Sequence, residues 1–263
     1  MFYLGWFSTG RDKAARDLLK VVVKSIKKGE IPHTKIVFVF SNRENGEDRE
    51  SDLFFKLVGQ YNIPLVTFSS AKFEPRLREE NLEEWRKKYD REILKKIKGV
   101  RIDLAVLAGY MLIVSPLLCN SYELINLHPA KPGGPKGTWQ EVVLKLIENK
   151  EKESGVMMHL VTPELDAGPP ASYCTFPIRI PFLTDNLWRL WELFHEDWMK
   201  EKLFDWIREE GLKREFPLLV ETLKIFSKKE IKIINNQILD ERGRVLDEGY
   251  NLTPKIEKIL SEA

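Results

Sequence analysis

The sequence predicts an α/β fold: a Rossmann-like, mostly parallel sheet with helices on both faces, followed by a helix plus β-hairpin C-terminal extension. Three observations carry this. Short apolar runs rich in β-branched and aromatic residues recur through the first half, the composition of strands buried on both faces. Longer segments with helical periodicity lie between them, and this alternation predicts parallel strands joined by right-handed crossovers. At 263 residues, 43% of them hydrophobic, the chain is long enough to bury a large core.

The first strand is "FYLGWF" (2–7), and the helix after it, "DKAARDLLKVVVKSIKK", sets Ala15, Leu18, Leu19, Val22, Val23 and Ile26 on one stripe. "KIVFVF" (35–40) and "PLVTF" (64–68) are the next strands, with "DRESDLFFKLVGQY" as the helix between them. "LEEWRKKYDREILKKI" is helical, and "LAVLAGY" (104–110) and "LINLH" (124–128) are again strands. "SGVMMHLVT" (154–162) and "ASYCTFPI" (171–178) follow, joined by "PELDAGPP", whose prolines and glycine make it a loop. From about Asp185 an aromatic-rich amphipathic helix is expected to end near Gly211, with a shorter helix after Pro217. "EIKIINNQILDERGRVLDEGY" reads as a hairpin or meander turning at Asn235-Asn236 and Arg242-Gly243. With no repeat, low-complexity region or flexible linker in view, residues 1–182 form the α/β domain. Residues 183–263 pack on it, and the stripe of Trp188, Leu190, Trp191, Leu193, Phe194 and Trp198 is expected to cover the sheet rather than to form an interface.

The 42 Lys+Arg and 40 Asp+Glu nearly cancel, so no overall field favours nucleic acid or a membrane, and an anionic ligand must be recognised locally. Cys119 and Cys174 lack metal-type spacing and read as core residues of a reducing compartment. With no apolar stretch of signal-peptide length and no window of about 18 uninterrupted apolar residues, a cytoplasmic protein is expected.

Four stretches can carry chemistry. "FSTGRDK" follows the first strand, so its backbone N–H groups and the helix dipole can bind an anion, with Arg11 and Lys13 adding charge; alternatively Ser8 or Thr9 caps the helix. Gly109 to Val114 lie beyond a strand's carboxyl end, where a flat apolar ligand would sit or where a loop would simply pack inward. Asn126 and His128 project to one side of an extended strand end, so an amide N–H and an imidazole N–H can meet at one point as an oxyanion trap, or merely end a strand. Asp166 sits in a tight Ala-Gly-Pro turn and Glu164 beside it is solvated. His33, His159 and His195 carry less weight, being placed in a loop, among apolar strand residues and on the aromatic helix.

The order of "FSNRE", "YNIP", "LAGYMLIVSP", "INLHPA", "HLVTPELDAGPP", "REFPLLV" and "DEGY" resembles the formyltransferase family that uses 10-formyltetrahydrofolate. The resemblance spans nearly the whole chain apart from extra residues around 72–98 and 188–212, and it is strongest over 103–169. It implies an enzyme of purine biosynthesis that moves a formyl group from 10-formyltetrahydrofolate to a small phosphorylated amine, glycinamide ribonucleotide first, without metal, nucleic acid or membrane, as a monomer or homodimer. It also implies roles. Asn126 steadies the oxyanion, His128 stands beside it, and Asp166 orients a water, moves protons and raises the imidazole's pKa so that it stays a donor. Gly109, Tyr110, Met111, Leu112, Ile113 and Val114 hold the folate, while Ser8, Thr9, Gly10, Arg11, Asp12, Lys13 and Pro129 hold the acceptor and its phosphate. Two departures bear on the acceptor: "AKPGGPKGTW" replaces a longer stretch ending in a second histidine, and "TGRDK" replaces a loop of small and amide residues. Rival readings are another phosphorylated amine, a nucleotide sugar or methionyl-tRNA as acceptor, a hydrolase, or a folate- or nucleotide-binding homologue with little turnover. A dehydrogenase ranks last because no Gly-x-Gly-x-x-Gly follows the first strand.

Overall fold

The computed structural model describes residues 1–262. Strands β1 (Phe2–Phe7), β2 (Thr34–Ser41), β3 (Leu65–Thr67), β4 (Leu104–Leu107) and β5 (Leu124–His128) pair in parallel. β6 (Glu153–Leu160) runs antiparallel to β5, and β7 (Pro170–Pro177) antiparallel to β6. β8 (Ile231–Ile234) and β9 (Gln237–Asp240) form a separate hairpin through Asn235-Asn236, both at positive φ, as the sequence predicts. β10 (Tyr250–Asn251) joins β7 in parallel, which the sequence did not suggest, and completes an eight-stranded sheet of order β10-β7-β6-β5-β4-β1-β2-β3.

Period-two alternation sorts the central strands onto two faces. Leu4, Trp6, Leu104 and Val106 face α1 (Lys13–Lys27) and α2 (Arg49–Gln60), whereas Phe7, Phe38, Ala105 and Leu107 face the opposite layer. That layer is α3 (Pro75–Glu80), α4 (Leu82–Lys96) and α5 (Pro116–Cys119), so the extra residues around 72–98 cover the sheet. Trp85 stacks on Tyr89 at 4.9 Å and Tyr89 on Phe68 at 5.0 Å, geometry worth roughly 0.5–1.5 kcal/mol per pair beyond burial.

Beyond β5 the reading needed correction. α6 (Trp139–Glu148) was not expected, although Thr138 and Glu141 form a capping box at its start. The aromatic segment does not end near Gly211. α7 (Asp185–Phe194) stops where His195 enters a left-handed conformation, and α8 (Asp197–Ser227) then runs unbroken through Gly211 and Pro217. An interior proline costs about 3 kcal/mol or more, but Leu218, Leu219, Val220, Leu223, Ile225 and Phe226 beyond it are all buried against the sheet, which outweighs that cost. α9 (Thr253–Ser261), also unforeseen, is tied to α8 by Arg214, whose guanidinium donates to Glu257 at 2.7 and 3.1 Å. The aromatic stripe divides: Trp188 and Trp191 are buried, whereas Leu190, Leu193, Phe194 and Trp198 are exposed. No described helix is long and apolar enough to cross a membrane.

Asp90 of α4 is buried and accepts a hydrogen bond from the Ser115 backbone N–H at 2.5 Å. Burial pushes its carboxyl up to about 6, against the N–H of Ser115 and the charge of Arg86. A carboxyl whose pKa rises on folding holds its proton more tightly when folded, so its contribution is complete at about pH 4 and is lost as pH rises through 6. Asp90→Asn, which keeps an acceptor for Ser115, is therefore expected to gain up to about 3 kcal/mol on the parent between pH 4 and pH 7; urea unfolding at both pH values checks it, and a constant difference would contradict it.

Candidate active site

The carboxyl ends of β1, β4 and β5 open into a cavity of about 330 Å³, lined from the sheet by Asn126, Leu127 and His128 and from loops by Gly109 to Ile113 and by Leu165 and Asp166. A narrower cleft of about 70 Å³ adjoins it, lined by Leu107, Leu112, Ile113, Val114 and Val161 and by the polar Asn126, His159, Thr162, Glu164 and Asp166.

The antiparallel register of β5 and β6 sets Asn126 opposite His159. The turn after β6 then brings Asp166 back, at φ +47°. Gly168 makes this return feasible, since a Cβ there would stand 1.8 Å from the Leu160 carbonyl oxygen. The carboxylate, 6% exposed, lies with Oδ2 3.6 Å from His128 Nδ1 and Oδ1 3.5 Å from His159 Nε2. Gly137 N–H donates to Oδ2 at 3.2 Å.

Hydrogen bonds select the imidazole tautomers. His128 Nε2 lies 2.9 Å from the Pro135 carbonyl and His159 Nδ1 lies 2.9 Å from the Leu160 carbonyl. A carbonyl only accepts, so both nitrogens carry hydrogen. In a neutral ring this leaves His128 Nδ1 bare toward Asp166 and His159 Nε2 bare toward Asn126 Nδ2, which donates to it across 3.2 Å. The expected pair of N–H groups from Asn126 and His128 is thus revised: the His128 N–H is taken by Pro135, and Asn126 is oriented by His159.

Burial holds the His128 imidazole below its ordinary pKa, outweighing the Pro135 hydrogen bond and the Asp166 charge that favour protonation. Asp166 does raise it, as expected, but not enough to keep it charged. Burial disfavours the Asp166 carboxylate too, yet the neighbouring His159 and His128 rings when protonated, together with the Gly137 N–H, hold it below the usual carboxylate range. At neutral pH the site holds an ionised carboxylate beside a neutral His128.

A family model described as formyl transferase matches residues 13–185. The chain is 31% identical over 204 residues to the phosphoribosylglycinamide formyltransferase of Dictyostelium discoideum, covering 74% of the chain and 85% of that protein. It is 30% identical to the enzyme of the same name from Escherichia coli, over 61% of the chain and 68% of that protein. The structure of the phosphoribosylglycinamide formyltransferase from Coxiella burnetii superposes with a TM-score of 0.67 at 21% identity, covering 95% of the chain and 98% of the other.

The chain belongs to the formyl transferase family.

In this formyl transferase Gly109 to Ile113 line the wider cavity and Val114 the cleft, so the loop from 109 to 114 serves both. Tyr110 is its buried base, with ring centroids 5.8 Å from Phe7 and 6.2 Å from Phe40. Around the first loop, Arg11, Asp12 and Pro129 reach the cavity and the others do not. Ser8 and Thr9 are buried: Ser8 Oγ accepts from Gly10 N at 3.2 Å, while Thr9 Oγ1 donates to Asn42 at 2.7 Å and accepts from Met111 N at 2.9 Å. Gly10 turns the chain at φ +67° with Phe54 so close that a Cβ would lie 2.8 Å from its ring. Neither Ser8 nor Thr9 caps α1; Asp12 does, accepting from Ala15 N at 2.9 Å, and Lys13 turns outward to pair with Asp17.

Sequence reasoning passed over His159, whose signal was its place seven residues before Asp166 on a strand that must pair with β5. It also missed Thr138, Trp139 and Glu141 at the start of α6 and Arg208 and Glu215 on α8, all of which line the cavity. Of the last two, only Glu215 falls within a motif of the resemblance, "REFPLLV".

By NMR, the His128 ring is expected to titrate below 6.5. It should titrate lower still in Asp166→Asn, because removing the carboxylate removes a charge that favours the imidazolium. A rise in that variant would show that the two groups are not coupled as described.

Proposed function

We propose that the protein transfers the formyl group of 10-formyltetrahydrofolate to the primary amine of glycinamide ribonucleotide, a step of purine biosynthesis. One observation carries the reading: Asp166 stands between two imidazoles, and it and Asn126 line both a narrow cleft and the wider cavity beside it. The cleft suits the flat pterin of the folate, with aliphatic side chains and a few polar groups in its lining. The cavity offers room for a sugar-sized amine. Two formyltransferase relatives near 30% identity, both named for phosphoribosylglycinamide, support the choice of acceptor.

The neutral amine attacks the formyl carbon, and a C–N bond forms as the carbonyl oxygen takes negative charge. Asn126 meets that charge with the amide hydrogen not given to His159. His159 acts here as a positioning residue, since its Nε2 keeps Nδ2 of Asn126 turned into the site. The attacking nitrogen then carries a surplus proton. Asp166 is ionised and His128 Nδ1 is unprotonated, so together they accept it, directly or through a shared water, and return it to the folate nitrogen as the bond from that nitrogen to carbon breaks. Formylated amine and tetrahydrofolate leave, and every proton is accounted for.

Purified protein supplied with both substrates should release tetrahydrofolate and formylated ribonucleotide. Folate binding without turnover would refute the assignment. Asn126→Ala should lower kcat by about 10²- to 10³-fold, the usual effect of losing one oxyanion donor. Asp166→Asn, which removes the proton acceptor, should lose about 10²- to 10⁴-fold while folate binding by calorimetry persists.

A further inference from the structure

We infer that Asp90 of α4 is a positioning residue for the folate: its carboxylate accepts the backbone N–H of Ser115 and so fixes the exit of the loop from Gly109 to Val114. The inference rests on the proposed formyl transfer, which gives that loop to the folate.

A loop that grips a flat ligand does so best when it holds its shape beforehand, because ordering it on binding would cost affinity. This loop is tied at two places. At its entry the Thr9 N–H donates to the Gly109 carbonyl at 3.0 Å, and the Met111 N–H donates to Thr9 Oγ1 at 2.9 Å. At its exit the Ser115 N–H donates to Asp90 Oδ2 at 2.5 Å. Between them the backbone of Leu112, Ile113 and Val114 makes no hydrogen bond among the described residues. The path of this middle part, where Leu112 and Ile113 line both the cavity and the cleft, is therefore set by its ends.

Packing supports the ties without replacing them. Tyr110 and Val114 are buried in the same cluster as Phe7, Trp85, Tyr89 and Ile93, whereas Met111 is exposed and Leu112 and Ile113 are half-buried. Apolar burial is non-directional and fixes depth; a hydrogen bond fixes direction. Asp90 is 3% exposed and Ser115 2%. Asp90 forms no ion pair among the described residues, and burial pushes its carboxyl up to about 6. Burying such a group costs stability, and carboxyls perturbed in this way gather at functional sites. α4 lines neither the cavity nor the cleft, so its influence on the ligand runs through this one bond.

Two measurements test this. In steady-state kinetics, Asp90→Ala should raise KM for 10-formyltetrahydrofolate about 10- to 100-fold, the loss of one hydrogen bond to a charged group. Its kcat and its KM for glycinamide ribonucleotide should stay within about threefold of the parent. Asp90→Asn, whose neutral acceptor is weaker, should bring the folate KM back to about two- to fivefold above the parent. If Asp90 served the fold alone, Asp90→Ala would lower the unfolding midpoint and leave the folate KM unchanged, or raise both KM values alike; either result overturns the inference. The second measurement needs no ligand. Backbone NMR order parameters of Leu112 to Val114 should fall from about 0.85 to below about 0.6 in Asp90→Ala, and unchanged values overturn the inference. Should Asp90→Ala fail to fold, the parent and Asp90→Asn decide: a rise in the folate KM alone supports the inference, and equal values overturn it. Should the parent show no turnover of the folate, the proposed function fails, while the order parameters still decide whether Asp90 positions the loop.

Discussion

A single ionised carboxylate, buried to 6% exposure between two imidazoles, is the constraint around which the site is organised. Removing a charge from water is costly unless hydrogen bonds and neighbouring charges replace the solvent. The Gly137 N–H donates to Asp166 and two imidazoles stand within 3.6 Å of it, ready to take a proton, and each of these depends on a different piece of backbone. Gly137 belongs to the loop that leads into α6, His128 ends β5, and His159 lies on β6. Gly168 lets the turn fold close enough for the carboxylate to reach all three.

The same arrangement sets the protonation states. Carbonyls of Pro135 and Leu160 take one N–H from each ring, so the nitrogens turned inward are the basic ones. Proline and glycine in "AKPGGPKG" give this loop the path that brings the Pro135 carbonyl and the Gly137 N–H to opposite sides of His128 and Asp166. The loop that departs most from the family therefore supports two of the groups that most resemble it.

The C-terminal extension has a structural and a functional side. α8 packs its second half on the sheet beside α1 and its first half against α6 and α7, so one helix joins two parts of the core. That double anchoring keeps the helix continuous through Pro217. It also brings Arg208 and Glu215 over the cavity as a wall that the sheet alone does not provide.

Much of this was legible along the chain. Five parallel strands, the α1 stripe, the turn at Asn235-Asn236, and the candidates Asn126, His128 and Asp166 follow from periodicity, turn chemistry and resemblance, because such signals are local or preserved in order. Other features depend on groups distant in sequence. The capping role of Asp12, the continuity of α8 and the split of the aromatic stripe were misread, since neighbouring layers decide which of two locally reasonable conformations survives. His159 looked like a core residue until the antiparallel register set it against Asn126. The neutral state of His128 likewise emerged only from burial, which no linear pattern reports. The sequence by itself determined the five parallel strands and the order of the motifs, because those signals are local; the tertiary structure alone decided that the Asp166 carboxylate stands beside both His128 and His159, because that meeting requires β5 and β6 to pair and the turn after β6 to fold back.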